Sequence, residues 1–468
     1  MRKKLLSFSG ISLLAVNLIL SGCAGGNNKG NTTGSSSQSA PVESTAASDV
    51  FPAGKLVIYG YGQPQFLAEF YNNWLTRNKD IAPNVTIDII QTEGEADARQ
   101  KVVTSFASGA YNELPDVIQT APVSMIDMAE GGILMDLTDF IAPLEDQFVD
   151  GALNQLKYKG KIYGLPDSVR PQLLFYNKKI FDQYGIDPAE MDTVEGYIEV
   201  GRKLKEASNG KVYLSYVDPG SLIWRYYGRR GFMPQANAKI WDDQGNVVID
   251  TDPGAKLALG TIETLVNEGL LLKSDIMKPP LYDATRNGEV ATYGIGAFWD
   301  EFLRKNVSDM EGDWRVMPAP MYKDVQKRGA PVSSMFSLIK KPNADYAELF
   351  KKIWYDFHFD AKERQVWTES MESQNAPYAN PITKSLLADA FWKAPSPFYG
   401  GQSFREMEGK GLENGAANLR ITTSDAEADL IISAELEKFI AGAQGMDEAI
   451  ANMGKNLRAK IGKATPVE

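Results

Sequence analysis

Cysteine and histidine each occur once among the 468 residues, as Cys23 and His358. A single thiol excludes an intramolecular disulfide and a cysteine-based zinc site, and a single imidazole argues against His-rich metal centres and a histidine-dependent triad. Aspartate and glutamate together number 60. A glycosidase would need two of them roughly 5–9.5 Å apart, but no local motif singles out a pair. The run Ser337-Leu338-Ile339-Lys340 has Ser-x-x-Lys spacing, yet it lies in a β-prone stretch stopped by Pro342 and lacks the helical start that such a nucleophile needs. Asp242-Asp243-Gln244-Gly245-Asn246 has the look of a calcium loop. Counted from Asp243, however, its twelfth position is Gly254 rather than an acid, so a hairpin turn is expected. There is no GxxxxGK[ST], no GxSxG and no zinc-binding helix motif. No cofactor is expected, and what remains is the chemistry of non-covalent binding.

Cys23 has a setting of its own. Arg2, Lys3 and Lys4 form a positive start, an apolar stretch runs from Leu5 to Leu20, and Leu20-Ser21-Gly22-Cys23 follows. The apolar stretch is short for a stable membrane span, which wants about 20 strongly apolar residues, and it fits a secretory signal better. The tetrapeptide looks like a bacterial lipobox, in which the cysteine thiol receives a diacylglyceryl group and the signal is cut just before it. Residues 1–22 are therefore expected to be a lipoprotein signal peptide, and the protein to be lipid-anchored on the extracytoplasmic side of the cell membrane. Each buried methylene contributes about 0.8 kcal/mol, so two acyl chains hold a protein firmly at a membrane without spanning it. From Ala24 to Asp49 the chain is rich in Gly, Ser, Thr, Asn and Ala, and Val42 is its only branched aliphatic residue. Such a segment cannot bury enough apolar surface to offset chain entropy. Residues 23–50 are read as the lipidated cysteine and a flexible tether.

The remaining chain must supply the elements that position any site. Its composition is globular, 43% hydrophobic and 23% charged, and its net charge of −11 is wrong for nucleic-acid binding. Strands are predicted at Lys55–Tyr61, Val85–Gln91 and Asp116–Thr120, with helices between them: one carrying Leu67, Phe70, Tyr71, Trp74 and Leu75, and one over Asp97–Gly109. This alternation argues for parallel sheet covered by helices, where ligands meet the loops beyond the strands' C-terminal ends. A second group begins near Gln172. There Thr193 caps a helix that stops at Gly210, and Asp252-Pro253 opens a helix that ends at Gly269.

The run YKGKIYGLPDSVRPQLLFYNKKIFDQYGID (Tyr158 to Asp187) resembles the signature of the extracellular solute-binding proteins that serve ABC importers, in the maltose/oligosaccharide-binding group. ELPDVIQ, GGILMDLTDFI, WRVMPAP and SLIKKPNADYAELFKKIWYDF occur in the order of that family. The resemblance implies an α/β fold of two lobes, each a mostly parallel sheet flanked by helices, joined by hinge crossings near Pro166, Pro318 and Pro381. Lobe 1 would comprise 51–165 and 318–380, and lobe 2 would comprise 166–317 and 381–468. It further implies a monomeric, non-enzymatic receptor that binds carbohydrate, an oligosaccharide above all, between the lobes and hands it to membrane permease subunits.

Sugars need aromatic faces and planar polar groups. The resemblance puts Tyr61 and Gln63 after the first strand and Gln119 at the end of the third in reach of ligand. It assigns Trp299, with Asp300, to a stacking segment in GIGAFWDEF, and more loosely Trp224 in SLIWRYYGRRG. Arg170 takes a place where the family's maltose binder has a carboxylate. A guanidinium there favours an anionic group, or else Arg170 pairs with nearby Asp167. Arg225, Arg229 and Arg230 are expected to form a solvated basic face, and Tyr226-Tyr227 is discounted as a metal pair because neighbours on a regular element point apart. Two other readings stay open: a surface lipoprotein without a transport role, and a saccharide-acting enzyme.

Overall fold

The computed structural model describes residues 50–61, 65–149, 152–153, 155–220, 222–373, 382–387, 393–415 and 418–466. Cys23, Gln63, the signal segment and the tether lie outside the described residues.

The first sheet grows from alternation in the sequence. β1 (Gly54–Gly60) buries Leu56 and Ile58 and pairs in parallel with β2 (Val85–Gln91) on one side and β3 (Val117–Thr120) on the other. α1 (Gln65–Arg77) lays Phe70, Tyr71 and Trp74 on this sheet at helical spacing. α2 (Glu95–Ala107) and α3 (Pro122–Glu130) follow β2 and β3. Two strands from far along the chain complete the sheet. β8 (Val332–Leu338) runs antiparallel to both β3 and β4 (Leu165–Arg170), giving the order β2-β1-β3-β8-β4. The register slips between Ser334 and Met335: Ser334 faces Ser168 while Met335 faces Pro166. Asp167 is the extra residue of this bulge, and a bulge re-aims the side chain it carries. α7 (Asp345–Phe359) and α8 (Ala361–Ser373) cover the sheet with Phe350, Trp354 and Trp367.

The second lobe has its own core. β5 (Gln172–Asn177) is the centre of a three-stranded sheet between β6 (Thr292–Gly296) and β7 (Trp314–Pro318), both antiparallel to it. The expectation of parallel sheet therefore holds for β1–β3 and for a small pair, Ser215–Val217 with Leu271–Lys273, but not for β5–β7. Helix signals read from the sequence are met. Thr193 Oγ1 accepts from Gly196 N–H at 3.0 Å to start α4 (Val194–Ala207), and Asp252 Oδ1 accepts from Ala255 N–H at 2.8 Å to start α5 (Pro253–Asn267). The Asp242 carboxylate accepts from the backbone of Gln244 and Asn246, closing a hairpin turn whose strands meet at Trp241 and Val247.

One apolar core runs from Leu56 to Val169 and resumes over Met335–Ile382, while the other runs from Leu173 to Tyr322 and resumes over Phe398–Ala464. The chain thus changes core at Pro171, between Tyr322 and Met335, and after Ile382. The first two changes fall several residues later than the prolines Pro166 and Pro318 that suggested them, because β4 and β7 are each completed before the chain crosses.

Candidate ligand-binding site

Between the two cores lies a cavity of about 280 Å³, adjoining a second of about 430 Å³. The two share Glu95, Leu222, Arg225, Arg230 and Val332 as walls. Strand ends and the first turn of α2 build the lobe 1 face: Tyr61 after β1, Glu95, Gln119 on β3, and Asp167, Ser168 and Arg170 on β4. Tyr61 is held by its backbone, whose N–H donates to Gln119 Oε1 at 3.3 Å. The bulged Asp167 accepts from Ser334 Oγ at 2.5 Å. Trp367 and Phe357 close this side, edge to face with centroids 4.3 Å apart.

The lobe 2 face comes from two short helices. Trp224–Phe232 winds as a π-helix that breaks at Gly231, and Met233 N–H bonds to Gly228 O, five residues back. It carries Arg225, Tyr226 and Arg230 to the cavity. α6 (Trp299–Asn306), entered from Phe298, brings Phe298, Glu301 and Phe302. Tyr226, Phe298 and Phe302 form a chain of rings with successive centroids 5.9 and 6.3 Å apart.

Several residues expected at the ligand lie elsewhere. Trp299 is fully buried, stacked on Tyr282 at 6.2 Å and Phe302 at 5.4 Å, so it belongs to the lobe 2 core. The adjacent helical positions, Phe298 and Phe302 four apart, take the open face instead. Asp300 is buried, accepting from Tyr399 Oη at 2.7 Å and pairing with Arg304 at 2.9 Å. Trp224 is buried with its indole N–H donated to Asp429 at 2.6 Å, and it reaches the cleft only as floor of the larger chamber. The three arginines do not form a solvated face. Arg229 is enclosed between Asp425 and Asp429, Arg225 pairs with Glu95 across the lobes at 3.4 Å, and Arg230 lines both chambers. Tyr226 and Tyr227 do diverge: Tyr227 Oη donates to Tyr216 O inside the core at 2.5 Å. Tyr61, Gln119, Asp167 and Arg170 are brought together on the cavity wall. The sequence reading missed Glu95, Tyr226, Arg230, Phe298, Glu301, Phe302, Ser334 and Trp367.

Burial sets the charges of this wall. It raises the Asp167 carboxyl against the Ser334 hydrogen bond and the charge of Arg170. It raises Glu301 to about 7, with Arg170 the largest opposing influence. A carboxyl that keeps its proton can donate as well as accept, which suits a hydroxyl-rich ligand. Burial also pushes the Tyr61 hydroxyl well above its ordinary range, so it remains a neutral donor. For Glu301 the linkage has a definite sign. The unfolded carboxyl ionises near 4.5 and the folded one near 7, so the folded state binds more protons between them. Stability is expected to fall as pH rises through that window and to level off above it. Melting temperatures from about pH 4 to 8, with Glu301→Gln lacking this component, check the sign; a variant that follows the parent curve contradicts it.

Among the described residues, the serine of the Ser-x-x-Lys run and the single histidine both lie outside the cleft walls. Ser337 is buried in the sheet, sharing a hydrogen bond with Thr120 at 3.2 Å. His358 packs between Trp354 and Phe357, and burial lowers its pKa to about 3, so it stays neutral. A cleft with one face on each lobe, rings on both and chain crossings between them is the architecture of a protein that captures a small molecule by closing on it. The chain matches the bacterial extracellular solute-binding proteins over residues 61–352, and it belongs to that family, whose members bind rather than catalyse. It is 23% identical over 252 residues to an arabinooligosaccharide-binding protein of Halalkalibacterium halodurans, covering 50% of this chain and 55% of that one. Against a lactose-binding protein of Rhizobium radiobacter it is 24% identical over 412 residues, 85% of this chain and 91% of that one. Its fold matches that of an ABC transporter-associated binding protein from B. animalis subsp. lactis, solved with β-1,6-galactobiose, with a TM-score of 0.74 at 20% identity, covering 87% and 97% of the two chains.

Proposed function

We propose that this chain is the substrate-binding protein of an ABC importer, that it captures an oligosaccharide in the interlobe cleft, and that Cys23 anchors it by lipid beside its permease. The observation that carries the reading is the division of the cavity wall. Tyr61, Gln119, Asp167 and Arg170 stand on one lobe, and Tyr226, Phe298 and Phe302 on the other. Rings offer faces to sugar C–H patches, while amide, carboxyl and guanidinium groups take the hydroxyls. A ligand touching both faces favours the closed arrangement by its differential affinity, which gives a permease something to recognise. The named relatives bind arabinooligosaccharide, lactose and β-1,6-galactobiose, which favours a short oligosaccharide. Lipid anchoring is supported by Leu20-Ser21-Gly22-Cys23 alone.

The test is a thermal-shift screen of the purified chain against neutral and acidic di- and trisaccharides, followed by small-angle scattering with any hit. A ligand that binds the folded state alone raises the melting temperature by mass action, by about 2.7 kcal/mol of stabilisation at a hundredfold excess over Kd. A saccharide that does so and lowers the radius of gyration supports the reading. A panel without a single shift counts against it.

A further inference from the structure

We propose that the captured oligosaccharide carries a sugar carboxylate and that this group docks on Arg230, beside Arg225, on the lobe 2 wall. This rests on the oligosaccharide reading above. Among the described residues five arginines line the two chambers, and three of them, Arg99, Arg225 and Arg229, hold ion pairs. Arg229 is clamped by Asp425 and Asp429. Arg170 stands among Asp167, Glu301 and Glu408 and acts electrostatically on all three. Arg225 has Glu95 at 3.4 Å. Arg230 has no carboxylate within ion-pair distance among the described residues, although it is largely withdrawn from solvent and lines both chambers. Its neighbour is a like charge.

The local fold explains the crowding. Arg225 and Arg230 stand five apart on this helix, just ahead of its break at Gly231, and both line the same cavity. The Arg230 guanidinium lies 5.8 Å from the centre of the Tyr226 ring. Its backbone is pinned to a crossing segment, since Ala330 N–H donates to Arg230 O at 3.0 Å and Gln172 Nε2 donates to Ala330 O at 3.2 Å. Burying a cation without a partner is costly, and here Arg225 adds repulsion that, after burial itself, lowers the proton affinity of Arg230. Glu95 pairs with Arg225, so the Arg230 fork is left without an ion-pair partner among the described residues. One sugar carboxylate balances it and presents two oxygens to the planar fork. A phosphate ester at ≈ −1.5 to −2 overshoots it.

The test compares digalacturonate and a glucuronate-bearing xylotriose with their neutral counterparts on the full-length chain, by calorimetry. The acidic sugars are expected to bind more tightly. Raising sodium chloride is expected to weaken them and leave neutral sugars unmoved. Arg230→Gln is expected to cost the acidic sugars roughly 10–100-fold in affinity while changing the neutral ones little, and Arg230→Lys to recover part of the loss. A neutral sugar bound as tightly as its acidic partner overturns the proposal and leaves the receptor reading standing. Equal weakening of both classes by Arg230→Gln makes Arg230 a structural support and also overturns it. Should that variant fold poorly, the salt dependence of the parent protein decides. Silence from every sugar counts against both readings.

Discussion

Trp299→Ala is expected to destabilise the protein by about 3–5 kcal/mol, lowering the melting temperature by on the order of 10 °C, while Phe302→Ala is expected to spare most of the fold and weaken sugar binding roughly 10–100-fold. The two rings stack 5.4 Å apart on neighbouring turns of one short helix, yet they face opposite environments. Trp299 is wholly enclosed by Tyr282, Tyr293 and Phe302, so truncation leaves a cavity that the surrounding rings cannot fill. Phe302 lines the cleft, and its loss removes a platform from the ligand more than it disturbs the packing. Melting curves and calorimetric titration of both variants separate the effects. If Trp299→Ala changed affinity and not stability, the assignment of the two faces would be wrong.

Asp425 is the second position where one substitution has a large consequence. It lies at the start of α9 (Asp425–Ile440), with no exposed surface, and accepts from Arg229, from Trp241 Nε1 at 3.0 Å and from Thr422 Oγ1 at 2.5 Å. Arg229 also pairs with Asp429, which accepts from Trp224. Asp425→Ala leaves a buried guanidinium half-answered and an indole N–H without its acceptor. Breaking a buried pair from one side costs about 3–5 kcal/mol. The damage also travels to the ligand wall, because Arg229 ties the π-helix that carries Arg225, Tyr226 and Arg230 to α9. We expect a lower urea midpoint together with weaker sugar binding. The triple variant Asp425→Leu, Arg229→Met and Asp429→Asn, which removes all three charges, is expected to regain much of the stability. If the triple variant were no more stable than Asp425→Ala, the loss would stem from packing rather than from the orphaned charge.

What the sequence made legible follows from where its signals are local. Alternating burial in KLVIYG, the helical spacing of Phe70, Tyr71 and Trp74, the capping by Thr193 and Asp252 and the turn at Asp242 each depend on residues within a few positions of one another, and the structure contains all of them. The cleft was legible by segment and not by face. GIGAFWDEF does supply the cavity, but a helix turns about 100° per residue, and nothing local states that Phe298 and Phe302 look out while Trp299 and Asp300 look in. RYYGRR misled for a related reason. Its i→i+5 winding follows neither the strand nor the α-helix period, so Arg225 and Arg230 turn to the cleft while Arg229, expected on the same solvated face, turns to Asp425 and Asp429. Trp367 and Ser334 carry no signal at all in sequence. Trp367 reaches the cavity because α8 packs on α1, and Ser334 because β8 returns to pair with β4.

That return has a kinetic side. β4 sits at the edge of the lobe 1 sheet with β8 as its neighbour, and β3 pairs with β8 on the side away from β1. About 160 residues, and with them most of the second core, separate β4 from β8, so the first lobe cannot close until that stretch has been made. Contacts of such separation slow folding, because the entropy of closing the loop is paid before the pairing rewards it. Until then β3 and β4 offer open edges, the surfaces on which unfinished chains aggregate or on which a chaperone can hold them. A late-closing sheet keeps those edges open longer, which gives a chaperone that holds them more time to act before the lobe is complete.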